Sequence, residues 1–103
     1  MANTLDKTEI FKNWLDGLTD KLTKKRIDTR IKRAEDGNFG DVESVGDGVF
    51  EMKLHFGPGY RLYYFQSGLE LYWLLIGGDK DTQPSDVVLA KAIKLKVQRG
   101  EEC

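Results

Sequence analysis

The segment from Leu69 to Ile76 constrains the fold of this chain more than any other feature. It is almost wholly apolar, it is much shorter than a membrane span, and turn residues stand on both sides of it. An apolar run of this length between turns is typical of a strand that is buried on both faces. We therefore predict a central β-strand here.

Two more strands precede this segment. Side chains alternate between apolar and polar from residue 50 to residue 56, which is typical of a strand with one buried and one solvated face. A turn at Gly57-Pro58-Gly59 leads to a second strand from Tyr60 to Gln66, and a hairpin turn then leads to the apolar strand. The Gly-, Asn- and Asp-rich stretch from Asn38 to Gly48 predicts a loop, and Asn3–Leu5 is only weakly indicated as a strand.

Three helices complete the predicted fold. Asp6 and Glu9 have the spacing of a capping box, and an apolar helix face follows over about residues 7–17. A second, largely polar helix is predicted from about residue 20 to residue 35, and the short turn between the two predicts an antiparallel hairpin. A last helix, capped by Ser85, is predicted to bury one apolar stripe, which consists of Val88, Leu89, Ala92 and Leu95.

Together these elements predict an α+β protein in which residues 1–103 form one domain. An N-terminal helical hairpin packs on a small twisted antiparallel sheet, and a C-terminal helix follows. The lone Cys103 cannot form an internal disulfide, and one Cys with one His cannot make a metal cluster, so we expect no metal and no cofactor. The N-terminus lacks a basic start followed by an apolar run, so we expect a cytoplasmic protein without membrane contact.

The polar face of the predicted sheet carries side chains that could perform chemistry. Alternation and hairpin pairing bring together one acid, one imidazole, two cations and a phenol, namely Glu51, Lys53, His55, Arg61 and Tyr63. Lys80, just beyond the third strand, could close the end of this patch as a third cation. RNA cleavage through the 2′-OH needs a base, cations for the charge on the phosphorane and an acid, and it needs no metal. The alternative is an ordinary solvated sheet face on which Lys and Glu pair.

The predicted second helix is basic, although the whole chain has a net charge of −1. Residues 20–35 contain seven basic and three acidic side chains. An RNA backbone is one candidate partner for this helix, and a solvated amphipathic helix is the alternative. The candidate contact residues are Lys21, Lys25, Arg26, Arg30 and Arg33.

Several motifs between residues 8 and 95 resemble one family when they are taken in order and spacing. They are Phe11-Lys12-Asn13-Trp14-Leu15, Gly37-Asn38-Phe39-Gly40-Asp41, Val45-Gly46-Asp47-Gly48-Val49, Phe56-Gly57-Pro58-Gly59-Tyr60-Arg61-Leu62-Tyr63-Tyr64, and Gly77-Gly78-Asp79-Lys80-Asp81-Thr82-Gln83 with Asp86. In this arrangement the chain resembles the "addiction module killer protein" group of the RelE/HigB/ParE toxin superfamily. The resemblance implies a compact fold with two N-terminal helices on an antiparallel sheet.

The resemblance also implies a function. It implies the toxin of a type II toxin–antitoxin system, which a cognate antitoxin, often a small helix-turn-helix protein, neutralises by tight binding. For the RelE and HigB branches it implies a metal-independent endoribonuclease that cleaves mRNA on the ribosome and so inhibits translation. Two alternatives remain open: a non-enzymatic gyrase inhibitor like the ParE branch, and a decayed toxin that only binds its antitoxin.

The resemblance assigns roles to residues as well. By matching motif, the catalytic groups of the family fall on Lys53, Arg61 and Lys80, and His55 is our choice as an additional proton-transfer group. The residues expected to contact RNA or the antitoxin are the basic helix residues Lys21, Lys25, Arg26, Arg30 and Arg33, together with Tyr63.

Overall fold

The computed structural model describes residues 2–101, so Cys103 and its expected lack of a disulfide lie outside the described residues. Within that range the elements run β1 (Thr4–Lys7), α1 (Glu9–Asp16), α2 (Lys21–Glu35), β2 (Val42–Gly46), β3 (Val49–Lys53), β4 (Tyr60–Gln66), β5 (Leu71–Asp79) and α3 (Gln83–Gln98). The strands form one sheet in the order β1-β5-β4-β3-β2. Helices α1 and α2 pack on one face and α3 packs on the other. The predicted α+β architecture is confirmed.

Strand β5 contributes to the core on both faces, as its apolar sequence predicts. Leu74 belongs to the cluster under α1 and α2, whereas Leu75 and Ile76 both belong to the cluster under α3. A β-bulge explains why two adjacent side chains point the same way: Tyr63 pairs with Ile76 and Tyr64 pairs with Leu74, so Leu75 is the extra residue.

The sheet is mixed rather than wholly antiparallel, because β1 pairs in parallel with β5. The weakly indicated N-terminal strand therefore exists.

Thr8, which follows β1, makes two hydrogen bonds through its hydroxyl group. The hydroxyl donates to the Leu75 carbonyl at 2.7 Å and accepts from the Phe11 N–H at 2.9 Å. Thr8 is thus the N-cap of α1, and the predicted capping box of Asp6 and Glu9 is wrong.

The α1–α2 pair follows the prediction closely. Asp20 caps α2 by accepting a hydrogen bond from the Leu22 N–H at 3.1 Å. The Lys24 ammonium donates to the Asp16 carbonyl at 3.2 Å, which ties the first turn of α2 to the end of α1. The buried stripe of α2 consists of Ile27, Ile31 and Ala34. No helix within residues 2–101 is both long enough and apolar enough to cross a membrane.

The edge strand next to β3 is β2, which lies in the segment that we predicted to be a loop. Strand β2 pairs antiparallel with β3, but its side chains are mostly exposed, so no apolar alternation marks it in the sequence. The turn between the two strands has φ angles of 95° at Gly46, 56° at Asp47 and 77° at Gly48. Such a turn needs glycine for its left-handed backbone, and this composition is what we interpreted as a loop.

Helix α3 buries a different stripe from the predicted one. Ala90 and Ile93 pack against the sheet, and the outward-facing residues are Val88, Leu89, Ala92 and Leu95. Val88 is 70% exposed. The start of the helix also differs, because Thr82 occupies the N-cap and the Ser85 hydroxyl donates to the Thr82 carbonyl instead of capping. The predicted stripe and the predicted Ser85 cap are therefore wrong.

Candidate functional site

The candidate site lies on the α3 face of the sheet, on β3 and β4. Glu51 pairs with Tyr63 and Lys53 pairs with Arg61, so the four side chains share one face as predicted. That face is not solvated throughout, because α3 packs over it. Glu51 is 1% exposed and Tyr63 is 0% exposed, whereas the side chains of Lys53 and Arg61 remain partly accessible. We expected the whole polar face to be open to solvent, but only the part beside α3 is accessible.

A buried carboxylate supports the arginine of this site. Gln83, from the first turn of α3, donates from Nε2 to both carboxylate oxygens of Glu51 at 3.0 and 2.8 Å. Oε2 of Glu51 lies 3.9 Å from Nε of Arg61, whose side chain is only 13% exposed. Because little water reaches this pair, its attraction is screened less than that of a surface ion pair. Gln83 is a site residue that we did not predict, since only the tertiary fold brings it to Glu51.

The Arg61 guanidinium does not use all of its N–H donors in hydrogen bonds within the described chain. Its Nη1 donates to the Gly59 carbonyl at a long 3.4 Å, and its Nε has no hydrogen-bond partner among residues 2–101. Because Nε is buried, a phosphate can reach this guanidinium only through its Nη groups, which are able to hold two phosphate oxygens in a fork. Lys80 lies close by, because a Cβ added to Gly59 would be 3.4 Å from Cδ of Lys80. Lys80 is exposed, so its charge can act on a ligand bound at the accessible side of Arg61.

Lys53 serves this site as a fixed cation. Its Nζ lies 2.5 Å from Oε1 of Glu43 on the neighbouring strand β2. This hydrogen bond raises the pKa of Lys53, and the charges of Asp41 and Glu51 act in the same direction. Lys53 therefore stays protonated at neutral pH, which suits charge stabilisation and does not suit a general base.

His55 stands just beyond β3 and pairs with an aspartate that we did not predict. Its Nε2 lies 2.7 Å from Oδ2 of Asp41, and the hydrogen bond lowers the pKa of that carboxyl group. The imidazole is 69% exposed, so it can exchange protons with solvent or a ligand. A carboxylate on one ring nitrogen orients the imidazole and leaves the other nitrogen for proton transfer.

Among residues 2–101, no group of three His, Cys, Asp or Glu side chains could hold a metal ion.

The basic residues of α2 do not form one free surface. Arg30 donates from Nη1 to the Lys53 carbonyl at 3.0 Å and from Nη2 to the Phe39 carbonyl at 3.1 Å. Burial lowers the pKa of Arg30, and the charge of Arg33 lowers it further. The interpretation of Arg30 as an unpaired contact residue is therefore wrong, because its guanidinium ties α2 to the end of β3. The four that remain exposed are Lys21, Lys25, Arg26 and Arg33.

Tyr63 also differs from its expected role. It is fully buried under α3, and its hydroxyl has no hydrogen-bond partner within the described chain. Burial raises the pKa of Tyr63 well above its usual range, and the nearby carboxylate of Glu51 adds to the shift. A side chain in this position offers no surface to RNA or to an antitoxin, so the prediction of Tyr63 as a contact residue is wrong.

The unpartnered hydroxyl yields a stability prediction. Tyr63→Phe removes only this oxygen, and a buried hydroxyl without a partner costs about 1–3 kcal/mol. We expect the variant to be as stable as the parent or up to about 1 kcal/mol more stable, as measured by urea unfolding. A clear loss of stability would show that the hydroxyl makes a hydrogen bond after all.

The same variant tests a pH dependence. Burial raises the pKa of Tyr64 to about 12, and Tyr63 shifts in the same direction. The unfolded chain loses these protons at pH about 10, so the stability they contribute is present below that pH and is lost as pH rises towards the folded pKa. Urea unfolding should therefore show falling stability above pH about 10, and the fall should be shallower in Tyr63→Phe. An identical fall in both proteins would contradict the burial of Tyr63.

Comparison with known proteins agrees with this fold. No known protein-family profile matches the chain. The structure superposes on the Escherichia coli toxin RelE, solved in the free state with two arginines changed to alanine, with a TM-score of 0.70 and 16% identity over 92% of this chain and 99% of that one. The fold is therefore the RelE fold.

One relative is close in sequence as well. The chain is 43% identical over 93 residues to an uncharacterised protein of Haemophilus influenzae strain Rd, and the match covers 90% of this chain and 94% of that protein. The chain belongs to the same family as this Haemophilus protein.

Proposed function

We propose that the protein is the toxin of a type II toxin–antitoxin module and that it inhibits translation by cleaving mRNA on the ribosome. The observation that carries the proposal is the placement of Lys53 opposite Arg61 on a RelE fold, with the His55–Asp41 pair beyond the end of the same strand. The neighbour in structure is itself named a toxin. A toxin of this kind works in the cytoplasm, where it meets ribosomes and mRNA.

The chemistry follows from the nature of these groups. When the 2′-oxygen of a ribose attacks the adjacent phosphorus, the 2′-OH loses a proton, the bond to the 5′-oxygen breaks, and that oxygen takes up a proton. Arg61 and Lys53 stabilise the charge that develops on the phosphate, and Lys80 adds a third cation at the mouth of the site. His55, oriented by Asp41, takes the proton of the 2′-OH, and a water molecule supplies the proton that the 5′-oxygen takes up.

The proposed partners include a cognate antitoxin, expected to be a small helix-turn-helix protein encoded beside the toxin. Lys21 and Lys25 lie exposed on the first turns of α2, where acidic antitoxin segments would be steered to them. Arg30 and Tyr63 take no part in this contact, because Arg30 binds backbone carbonyls and Tyr63 is buried.

The proposal is tested by induced expression followed by primer extension on a chosen mRNA. Codon-spaced 3′ ends that appear only when the message is translated would support it, and an Arg61→Ala strain is the matched control. DNA breaks with an SOS response and intact mRNA would identify a gyrase inhibitor instead. A protein that binds its antitoxin but causes neither effect would be a decayed toxin.

A further inference from the structure

A second concave surface lies on α2, separate from the sheet-face site. It is a groove of about 260 Å³, and its lining consists of Arg26, Thr29, Arg30, Arg33 and Phe56. The three arginines are spaced four and three residues apart, so they project from one face of the helix. The groove thus combines three guanidinium groups with one hydroxyl and one aromatic ring.

No ion pair within the described residues neutralises the positive charge of this groove, and the only carboxylate whose charge acts on Arg30 is that of Asp41. No carboxylate of residues 2–101 lies within 4.0 Å of any of the three guanidinium groups. Arg30 binds two backbone carbonyls, which are dipoles and carry no net charge. Burial lowers the pKa of Arg30 and the like charge of Arg33 lowers it further, whereas the charge of Asp41 raises it. An anion in the groove would relieve the repulsion between the two arginines.

Phe56 gives the groove an apolar wall, in which the partly buried ring also contacts Tyr60, with 5.6 Å between the ring centroids. The central carbon of the Arg26 guanidinium lies 4.3 Å from the centroid of the Phe56 ring, in a cation–π contact. The contact holds the guanidinium beside the groove, and an arginine held in this way keeps its N–H donors for a ligand. An aromatic ring next to cations is the combination that binds single-stranded nucleic acid, because bases stack on the ring while cations bind the backbone.

The groove is linked to the end of β3, the strand that carries Lys53. Phe56 follows His55 directly in the chain, and Arg30 hydrogen-bonds the backbone carbonyl of Lys53. The groove and the candidate catalytic site thus lie on opposite faces of the sheet and are both close to the end of β3.

We propose that the groove formed by Arg26, Arg33 and Phe56 is a second RNA subsite, in which the two arginines bind a backbone phosphate and the ring contacts a base or ribose. The inference rests on the proposed function for its choice of RNA as the ligand. Guanidinium groups bind phosphate oxygens through paired donors, and the ring favours a nucleotide over an acidic peptide. Lys21 and Lys25 lie outside the groove lining.

The test is binding of a short fluorescein-labelled 2′-O-methyl RNA to the purified protein, followed by anisotropy at several salt concentrations. This probe lacks the 2′-OH, so binding is measured apart from cleavage. Arg26→Ala/Arg33→Ala should weaken binding about tenfold or more, and it should reduce the slope of log affinity against log salt by about 0.7, the value for one lost phosphate contact. Arg30 is left intact because it supports the fold.

The matched control is Lys21→Ala/Lys25→Ala, which removes the same charge from the same helix outside the groove. It should change the affinity and the salt slope much less. Phe56→Leu keeps an apolar side chain but removes the ring, and it should weaken binding a few-fold with an unchanged salt slope. Urea unfolding of each variant confirms that it is folded before its affinity is compared.

Three results would overturn the subsite. An equal loss of affinity in the two double variants would mean that RNA responds only to the overall positive charge of α2. Unchanged binding in Arg26→Ala/Arg33→Ala would mean that the groove is not an RNA subsite. An oligoglutamate peptide that competes with the RNA at equal affinity would make the groove a site for protein carboxylates. Failure of the proposed function looks different, because the groove would then bind RNA while the parent protein cleaves no mRNA in cells.

Discussion

Arg61→Ala is expected to lower RNA cleavage by about a hundredfold or more and to abolish growth arrest on induction. Arg61 is the partly buried cation of the site, and Glu51 lies 3.9 Å from its buried Nε. Loss of one preorganised donor to a developing oxyanion has an effect of this size. Arg61→Lys should recover little, because an ammonium group cannot hold two phosphate oxygens in a fixed fork.

The arginine variant should still fold, since Glu51 keeps both hydrogen bonds from Gln83. Urea unfolding and antitoxin binding provide the control measurements. His55→Gln is a useful comparison, because it should give a smaller loss with an altered pH profile, as glutamine cannot exchange the proton. If folded Arg61→Ala remained as toxic as the parent, the catalytic assignment of this face would be wrong, and gyrase inhibition or simple binding would explain the toxicity better.

Trp14→Ala should destabilise the fold by about 3 kcal/mol, within the range for removal of large aromatic side chains from a core. The indole lies directly on the backbone of β5, where a Cβ added to Gly77 would be 2.2 Å from the ring. Its ring centroid is 5.7 Å from that of Phe11 and 6.1 Å from that of Tyr60. Gly77 has no side chain with which to fill the resulting space, so the cavity between α1 and the sheet would persist.

Thermal and urea unfolding measure this loss, and each kcal/mol corresponds to a shift in Tm of roughly 4–8 °C for a domain of this size. Trp73→Ala is the matched control. Trp73 is half-buried like Trp14, but it lines two surface cavities and does not cover a strand glycine, so its removal should cost less. A loss below about 1 kcal/mol for Trp14→Ala would mean that the core closes over the vacant space.

Local periodicity explains which parts of the fold could be predicted. The alternation of β3, the uniformly apolar sequence of β5 and the stripe of α2 each determine a buried side within a few residues. Strand β2 lacks such a signal because both of its faces are largely exposed. Helix α3 carries apolar residues on two faces, so its periodicity could not identify the buried one.

The orientation of α3 depends instead on contacts between distant parts of the chain. Gln83 reaches Glu51 across 32 residues, and Lys94 donates to the Asp47 carbonyl across 47 residues. These contacts hold the opposite face of the helix against the sheet, and no pattern within the helix encodes them.

The candidate site also has one part that the sequence predicts and another part that it does not. The juxtaposition of Lys53 and Arg61 follows from strand alternation and one tight turn, so it could be predicted. The partners of these residues could not, because Asp41 and Glu43 come from the segment that we interpreted as a loop. The structural role of Arg30 was hidden for a related reason: its acceptors are backbone carbonyls, and these leave no signature in the sequence.

The strand order has a consequence for synthesis on the ribosome. Strand β5 lies between β1 and β4, yet it is the last strand to be translated. The bond from Thr8 to the Leu75 carbonyl spans 67 residues, and contacts at such separation form late in folding. Until β5 emerges, β1 has no neighbour in the sheet, β4 has one unpaired edge, and both core clusters lack their central side chains. A nascent chain therefore cannot assemble the proposed RNA-cleaving surface before β5 has been synthesised, and a chain stalled earlier would remain unfolded and open to proteolysis.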